Sequence, residues 1–367
     1  MRFALDARAA FVDPYRGFGR VVRELVPVLA RVAAEALVVC VPAHAHVPEA
    51  WYAGGGQVLK LRRPRRGAFL FDGPAWAWSA RRHRFDCLHL PAWGVPPGVP
   101  VPVVASFNDA TPLLFPTGLS RWQKRRMAWG FCSLRRATVI HVPSRSARSQ
   151  LARLDPNLES RATVVPYGVH DRFRPDPNPE RSFVLGVGGG EHHKNWELML
   201  EVYSDPRART LPPLRLVGSV GRNPKLSDWV RVKGLEGRVL FASEVDEQTL
   251  VGFYQHALAL VFPSRNEGFG LPALEAMACG CPVVAANCGA LPEVCGDAAI
   301  LLPPDDPREW LAALVALHES LPRWQELRER GLARARAFTW ERTARELLAL
   351  YRDAARRASS ARWEARA

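Results

Sequence analysis

Two glutamates eight positions apart are the residues of this chain whose type and spacing most clearly suggest chemistry. Glu267 and Glu275 flank a glycine turn and an apolar run in "RNEGFGLPALEA", residues 265–276. Glutamate is seldom fully buried without a partner, so each carboxylate should meet a protein cation or a ligand. Because a carboxylate accepts hydrogen bonds from neighbouring hydroxyls, the pair favours a hydroxyl-rich ligand.

The turn between the two glutamates predicts a further set of contacts. The preceding "LALVFPS" reads as a strand, and a helix should begin near Leu271 or Pro272, since proline suits a first helical turn. The backbone N–H groups at the helix start would then point at a ligand, and they belong to Gly268, Phe269, Gly270 and Leu271. This arrangement is typical of an anion or sugar site.

The elements that must position these residues alternate between strands and helices. Apolar strands such as "RFALDA" and "VPVVASF" recur up to a Pro-rich, charged break at 165–182, and the rhythm then restarts with "SFVLGVGG". A βαβ rhythm implies α/β domains with parallel sheets covered by helices. We therefore expect two doubly wound domains, 1–175 and 176–345, with a last helix over 346–367 that can pack back on the first.

Length and composition exclude several classes of protein. The 367 residues exceed what one core usually supports, and no apolar run is long enough for a spanning helix. The start "MRFALDARAA" lacks a signal-peptide core, so the expected location is cytoplasmic. The seven cysteines are scattered and the last four contain no CxxC, which favours small buried residues over disulfides or zinc.

The net charge of +14 is concentrated in the first half of the chain. Residues 1–175 hold 26 Lys+Arg against 11 Asp+Glu, whereas the remainder holds 24 against 25. A one-sided basic surface attracts phosphates, anionic lipid or nucleic acid. Composition does not choose among these partners, but the chain has no recognisable nucleic-acid-binding motif, so we expect no nucleic acid partner.

The segment around the glutamates, "EGFGLPALEAMACGCPVVAANCGALPEVCGDAAILLPPDD", resembles the retaining glycosyltransferases of family 4, whose motif is E-x7-E. The resemblance covers residues 1 to about 345. It implies the GT-B fold, with two Rossmann-like domains of parallel sheets facing across a cleft. It also implies that Glu267, with the backbone of 268–271, reads the donor sugar and that Glu275 reads the ribose of the nucleotide.

A second match to the family is "FVLGVGGGEHHKNWELMLEVY", residues 183–203. Lys194 fits the family's cation and would contact the donor diphosphate, neutralising the leaving group. His193 stands where the family usually has an arginine, and Gly189 stands at another cation position. Diphosphate binding is therefore expected to depend on Lys194 and Arg265.

Two matches in the first half complete the predicted site. Gly17 and Gly19 follow the first strand in "FVDPYRGFGRVVRELVPVLA" and would let backbone approach the diphosphate or the acceptor. In "VVASFNDATPLLFP", Asn108 replaces the histidine that the family places before Asp109 and near the transferred sugar. Asparagine keeps hydrogen-bonding capacity but cannot carry a proton charge, which leaves room for a different donor sugar or for weak activity.

The resemblance implies a retaining hexosyltransferase. No D-x-D motif is present, so we expect no catalytic metal. No cofactor is expected; the donor substrate would be GDP-mannose first and a UDP-sugar second. The acceptor would be a glycan or a lipid-diphosphate-linked glycan in cell-surface polysaccharide synthesis. Two alternatives remain within the architecture: a catalytically weak or inactive nucleotide-sugar-binding partner and a sugar-nucleotide 2-epimerase.

A basic helix predicts where a lipid-linked acceptor would be met. Read as a helix, "SRWQKRRMAWGFCSLRR", residues 120–136, has one stripe expected in the core: Met127, Phe131 and Leu134. The other stripe mixes indole with guanidinium: Trp122, Arg125, Arg126 and Trp129. Because tryptophan lies at the headgroup boundary and arginine meets lipid phosphate, we expect peripheral docking on an anionic membrane, at the inner face of the plasma membrane.

Overall fold

A computed structural model describes residues 1–12, 17–61, 68–92, 94–116, 120–219, 223–243 and 245–364. The chain divides into two compact units. Unit 1 comprises Met1–Gly168 together with Thr339–Ala367, and unit 2 comprises Val169–Phe338. The last segment of the chain therefore belongs to the unit that contains the first.

Unit 1 is built on a seven-stranded sheet in which every neighbouring pair of strands is parallel. The strands are β1 Phe3–Asp6, β2 Leu37–Pro42, β3 Gln57–Leu61, β4 Cys87–Leu90, β5 Val103–Ser106, β6 Val139–Val142 and β7 Ala162–Val164. Their order is β3-β2-β1-β4-β5-β6-β7. All residues of β4, β5 and β6 are buried, as expected for parallel strands covered on both faces.

The helices of unit 1 cover this sheet. They are α1 Gly17–Ala33, α2 Ala68–His83, α3 Thr111–Leu114, α4 Arg121–Ser133, α5 Arg145–Leu154 and α13 Trp340–Glu364. In α1 the buried residues Val22, Leu25, Val26 and Leu29 recur at helical spacing and form one apolar face. Helix α1 packs along α13, which also contacts β4 and β5.

Unit 2 repeats the plan with a six-stranded parallel sheet of order β10-β9-β8-β11-β12-β13. Its strands are β8 Phe183–Val187, β9 Leu214–Val217, β10 Val239–Ala242, β11 Ala257–Phe262, β12 Val283–Ala286 and β13 Ala299–Leu302. Its helices are α6 Trp196–Ser204, α7 Lys225–Val232, α8 Glu247–His256, α9 Leu271–Ala278, α10 Leu291–Cys295, α11 Pro307–Glu319 and α12 Leu321–Ala335. The predicted class of two Rossmann-like domains with parallel sheets is confirmed.

All seven cysteines are free thiols, and five of them are buried, including Cys279, Cys281 and Cys295. Within the described ranges, no helix is both long and apolar enough to cross a membrane. The described residues also contain no group of three or more His, Cys, Asp or Glu placed to hold a metal ion.

Candidate active site

The candidate site of unit 2 lies at the carboxyl ends of β8 and β11, where the strand order of the second sheet reverses. The chain runs outward from β8 through β9 and β10 and then returns to β11 on the other side of β8. In open parallel sheets ligands bind at such a switch point. The loop after β8 contains residues 188–195, and the loop after β11 contains residues 263–270.

An ion pair joins these two loops. The Nζ atom of Lys194 lies 2.6 Å from Oε1 of Glu267, although the two residues are 73 positions apart in the chain. The two side chains are only 15% and 14% exposed, so the pair is screened far less than an ordinary surface salt bridge. The ammonium group also lies 5.2 Å from the centroid of the Phe262 ring, at the end of β11.

The buried side chain of Asn195 holds the two loops at this separation. Its Nδ2 group donates to the carbonyl of Pro263 at 3.2 Å and to the carbonyl of Pro304 at 2.8 Å. Asn195 has a left-handed backbone with φ of 58°, a conformation that asparagine tolerates better than most residues. The position of Asn195 directly after the predicted Lys194 could be seen in the sequence. Its hydrogen bonds to the Pro263 and Pro304 carbonyls could not be predicted from it.

Arg265 lies in the loop after β11, and its guanidinium donates to two protein side chains. Its Nη2 donates to Oδ1 of Asn195 at 3.1 Å, and Nη1 pairs with the carboxylate of Asp305. Its backbone N–H donates to the carbonyl of His193 at 2.7 Å, which ties the two loops together a second time. The guanidinium side chain is about one third exposed, so part of its surface is open to solvent.

Two glycines with left-handed backbones let the Glu267 loop pack tightly. Gly270 precedes α9 with φ of 102°, and a side chain there would come within 2.8 Å of Leu291. Gly289 has φ of 60°, and a Cβ atom there would lie 2.7 Å from the backbone nitrogen of Glu267. The neighbouring Ala290 N–H donates to the carbonyl of Glu267 at 3.0 Å. The segment before α10 is therefore hydrogen-bonded to the Glu267 loop.

The remaining residues of the predicted turn are mostly buried. Gly268 is buried in the loop, and Phe269 packs its ring against Phe338 with the centroids 5.9 Å apart. Leu271 is the first residue of α9, as the sequence predicted, and Pro272 follows it.

Glu275 occupies a different environment from Glu267, one turn into α9. It is only 3% exposed, and its Oε2 atom accepts a hydrogen bond of 3.1 Å from the Tyr254 hydroxyl on α8. Each of the two glutamates therefore has a protein partner: an ammonium group for Glu267 and a phenol for Glu275. Because the partners differ in charge, the two carboxylates are suited to different ligand groups.

Two groups beside the ion pair have shifted proton affinities. Burial, reinforced by the charge of Lys194, lowers the pKa of His193 below its ordinary value, so this side chain is neutral near pH 7. Burial, with the nearby charge of Glu267, raises the pKa of Cys288 to about 11, so Cys288 is a thiol rather than a thiolate.

In unit 1, Asn108 and Asp109 lie just after β5, separated from it by Phe107, and both are half-buried. Oδ1 of Asn108 accepts a hydrogen bond of 2.5 Å from the Tyr167 hydroxyl. Oδ1 of Asp109 accepts one of 2.7 Å from the backbone N–H of Thr111, at the start of α3. Both carbonyl-bearing side chains are thus held by fixed donors.

The predicted glycines of unit 1 lie in the first turn of α1. Gly17 is exposed with φ of 46° and has open space where a side chain would stand, whereas Gly19 is buried. The stretch of the predicted Gly-rich loop at 13–16 lies outside the described residues.

Sequence reasoning missed a charged cluster at the switch point of the first sheet, between β1 and β4. Arg8 binds Asp6 in a bidentate fashion, through Nε to Oδ1 at 2.8 Å and Nη2 to Oδ2 at 2.7 Å. Its Nη1 reaches Asp72 on α2 at 3.2 Å, and its guanidinium lies over the Trp76 ring at 5.2 Å. The available signal was a carboxylate at the end of the first strand followed two residues later by an arginine, in "LDARAA".

The structure brings four of the predicted residues together in unit 2, namely His193, Lys194, Arg265 and Glu267. Glu275 is held separately by Tyr254. Asn108 and Asp109 form one pair of neighbours in unit 1, and Gly17 and Gly19 belong to α1.

Comparison with protein families matches both halves of the chain. Residues 15–173 match the family model described as Glycosyltransferase Family 4. Residues 170–337 match the model described as Glycosyl transferases group 1. The second match contains both glutamates, Lys194 and Arg265.

Curated relatives and solved structures agree with these matches. The chain is 28% identical to the O-antigen chain mannosyltransferase B of Escherichia coli, over 81% of this chain and 79% of that protein. It is 28% identical to the MMP alpha-(1->4)-mannosyltransferase of Mycolicibacterium hassiacum, over 66% and 62%. It is 40% identical to the D-inositol 3-phosphate glycosyltransferase of Corynebacterium diphtheriae, over 60% and 57%.

Two solved structures share the fold over nearly the whole chain. Sucrose-phosphate synthase from Thermosynechococcus elongatus superposes with a TM-score of 0.76 at 22% identity, covering 96% of this chain and 98% of the other. Anabaena Alr3699/HepE in complex with UDP and glucose superposes with a TM-score of 0.73 at 16% identity, covering 95% and 99%. At these identities the likeness shows the fold.

Proposed function

The chain belongs to the glycosyltransferases that combine a Glycosyltransferase Family 4 domain with a Glycosyl transferases group 1 domain, and we propose that it transfers a hexose from a nucleotide diphosphate sugar. The Lys194–Glu267 pair at the switch point of the second sheet carries this proposal. It places a weakly screened cation and a carboxylate where parallel sheets bind ligands.

The pair has chemistry that suits such a donor. Before the donor binds, Glu267 neutralises Lys194 at 2.6 Å. The donor's diphosphate would compete for the ammonium group, and Glu267 would then accept hydrogen bonds from the sugar hydroxyls. During transfer, Lys194 would stabilise the charge that develops on the leaving diphosphate. Glu275 would accept a hydrogen bond from the ribose while Tyr254 holds its carboxylate.

We propose that transfer retains the anomeric configuration and uses no metal. Once Glu267 binds the sugar hydroxyls, a front-face reaction needs no protein nucleophile, because the leaving diphosphate oxygen takes the acceptor's proton. The protein then contributes orientation and charge stabilisation. We expect EDTA to leave the turnover rate unchanged, because Lys194 rather than a metal ion neutralises the leaving group. Inhibition by EDTA that magnesium or manganese reverses would contradict this mechanism.

For the donor we propose GDP-mannose, with UDP-sugars as the second choice. Two relatives of this chain are named as mannosyltransferases, whereas the similar structure of Alr3699/HepE holds UDP and glucose. The test is the release of nucleoside diphosphate from a panel of GDP- and UDP-sugars. Release from none of them, together with no thermal stabilisation by any nucleoside diphosphate, would overturn the proposal in favour of an unrelated function.

For the acceptor we propose a glycan, or a lipid-diphosphate-linked glycan presented at an anionic membrane. Unit 1 holds 31 Lys+Arg against 14 Asp+Glu, and α4 contributes exposed cations and an indole that is 68% exposed at Trp122. Arg126 lies 5.2 Å from the Trp122 ring, while Leu134, directly after the helix, is fully buried. The exposed stripe thus pairs guanidinium with indole, which suits a headgroup boundary.

Sedimentation with liposomes tests this surface. We expect recovery with anionic vesicles at low salt, weaker recovery at high salt, and little with neutral vesicles, because each basic residue near an anionic surface contributes about 1 kcal/mol. The variant Trp122→Ala should lower recovery, whereas Trp229→Ala on α7 of unit 2, a partly exposed indole, should not. Equal recovery with both lipids at both salt concentrations would favour a soluble glycan acceptor.

A further inference from the structure

A chain of buried polar side chains crosses the interior of unit 1. The Tyr351 hydroxyl lies 2.6 Å from Nδ1 of His89, and Nε2 of His89 lies 2.9 Å from Oγ of Ser106. Oγ of Ser106 lies 2.9 Å from Nδ1 of His141, whose Nε2 lies 2.9 Å from the carbonyl oxygen of Val165. The four side chains are each 1% exposed, so solvent satisfies none of their polar atoms.

The chemistry of these groups fixes the direction of every hydrogen bond when both histidines are neutral. The Val165 carbonyl can only accept, so Nε2 of His141 carries the proton and Nδ1 of His141 is an acceptor. Ser106 must therefore donate to His141, which leaves its oxygen to accept from Nε2–H of His89. Nδ1 of His89 is then an acceptor for the Tyr351 hydroxyl. Every donor in this series of hydrogen bonds has an acceptor, and no proton is left over.

Protonation of either histidine destroys this pattern. If His89 gains a proton, Nδ1–H points at the Tyr351 oxygen, and the hydroxyl proton of Tyr351 loses its acceptor. If His141 gains a proton, Ser106 must reverse, His89 must change tautomer, and the same hydroxyl is left without an acceptor. In the buried surroundings of Tyr351 and Phe3, whose rings lie 5.7 Å apart, a donor without an acceptor is strongly unfavourable.

We propose that this side-chain sequence, here called the histidine chain, is an acid-sensitive latch that fastens the last helix, α13, to the first sheet. Tyr351 lies on α13, whereas His89, Ser106 and His141 lie on β4, β5 and β6. The latch holds while both histidines are neutral and releases α13 when one of them takes up a proton.

The surroundings of the histidine chain support its neutrality at physiological pH. Burial, with the neighbouring His141, lowers the pKa of His89 well below its ordinary value, and burial lowers the pKa of His141 to about 4. Other titratable or charged groups stand near the chain on several elements. They are Cys87 on β4, Tyr167 against the His141 ring, and Asp109 beside Tyr167. Helix α1, which packs along α13, contributes the buried Glu24.

The sign of the pH dependence follows from these shifts. Released histidines bind protons with a pKa near 6.5, whereas the latched histidines bind them only at lower pH. The latch is therefore fully favourable above about pH 6.5 and weakens as pH falls below it. The contribution of His141 is lost by its latched pKa of about 4, and that of His89, whose pKa burial lowers well below the ordinary value, is lost over the same direction of pH change. At pH 5, release should be favoured about 30-fold for one histidine and about 1,000-fold for two, relative to pH 7.5.

The histidine chain ends beside Asn108. His141 holds the carbonyl of Val165, and Tyr167, two residues further on, donates to Asn108 at 2.5 Å. Thr343 on α13 donates to the carbonyl of Pro166 at 2.7 Å, so release of α13 would remove a contact that holds the segment orienting Asn108. This consequence rests on the proposed function, whereas the latch itself does not.

Amide hydrogen exchange of the wild-type protein between pH 7.5 and pH 5, corrected for intrinsic rates, tests the latch. We expect protection in α13 to fall by at least about 30-fold. Protection in helix α12 of unit 2 should not change, because this helix contains no histidine. Nitrogen-15 spectra at pH 7.5 should show His89 and His141 as neutral Nε2–H tautomers. An α13 as insensitive to pH as α12, or an Nδ1–H or charged ring at pH 7.5, would overturn the proposal.

A matched pair of variants sharpens the test. Tyr351→Phe removes the hydroxyl that protonation would leave without an acceptor, so α13 should exchange faster at pH 7.5 and respond less to acid. Tyr203→Phe removes a buried hydroxyl of unit 2 that donates to the carbonyl of Pro212, and α13 should keep its wild-type pH response. An unchanged acid response in Tyr351→Phe would also overturn the latch.

Discussion

The two sheets of this protein reverse their strand order in the same way but carry different chemistry at the reversal. At the switch point of the second sheet, Lys194 pairs with one carboxylate, that of Glu267. At the switch point of the first sheet, Arg8 pairs with both Asp6 and Asp72, so two carboxylates surround the cation. Topology therefore fixes where a ligand can bind, and the local balance of charge decides which ligand can displace the protein's own contacts.

The overall charge of each unit differs from the charge at its switch point, where Arg8 faces two carboxylates and Lys194 faces one. Unit 1 holds 31 Lys+Arg and 14 Asp+Glu, whereas unit 2 holds 19 and 22. The less basic unit presents the cation that a single carboxylate balances. The proposed nucleotide sugar would therefore depend on the ammonium group close to it, because salt screens the general field of the unit.

The largest expected effect comes from removing the cation of the second switch point. Lys194→Ala should lower turnover by about 10²–10³, because the developing charge on the leaving group loses its main partner. The matched control is Lys225→Ala, an exposed lysine at the start of α7, which should turn over at the wild-type rate. Release of nucleoside diphosphate under saturating donor measures both. Equal rates in Lys194→Ala and wild type would contradict the assignment.

Removing the cation of the first switch point should have a different result. Arg8→Gln leaves Asp6 and Asp72 facing each other with side chains only 16% and 19% exposed. We expect the free energy of unfolding of unit 1 to fall by about 3 kcal/mol, since breaking a largely buried ion pair leaves an uncompensated charge. Nucleoside diphosphate binding should stay unchanged. Urea titration and calorimetry measure the two quantities, and a loss of nucleotide affinity without a loss of stability would contradict this contrast.

A smaller effect separates the two glutamates of the second unit. Glu275→Ala should weaken nucleoside diphosphate binding by roughly 1.5–3 kcal/mol, the worth of a hydrogen bond to a charged group. Glu267→Ala should mainly lower turnover, because its proposed partner is the transferred sugar. Titration of the nucleoside diphosphate into both variants measures the difference. Unchanged affinity in Glu275→Ala would remove its assignment to the ribose.

The contrast between the switch points also explains what the sequence could predict. Lys194 and Glu267 lie in segments with strong motifs, so their positions at strand ends could be predicted although 73 residues separate them. The parallel sheets could be predicted because buried strands read as apolar runs. Nothing local indicated that Arg8 would meet Asp72, 64 residues away, or that Tyr351 would meet His89, 262 residues away. Such contacts depend on how whole elements pack, which periodicity does not specify.

Asn195 has a position that could be predicted from the sequence and contacts that could not. Its place after Lys194 was visible, but its bond to the Pro304 carbonyl, 109 residues away, depends on where the chain after β13 lies. The left-handed backbone that it adopts is likewise set by the closing of the two loops.

The most direct test of the central claim is the binding of nucleotide sugars to the second switch point. GDP-mannose and a set of UDP-sugars would be titrated by calorimetry and by thermal unfolding into wild type, Lys194→Ala and Lys225→Ala. We predict that one donor stabilises wild type and Lys225→Ala by about 2.7 kcal/mol at 100 times its dissociation constant. The same donor should stabilise Lys194→Ala much less. Equal stabilisation of all three proteins would contradict the claim that Lys194 and Glu267 form the donor site.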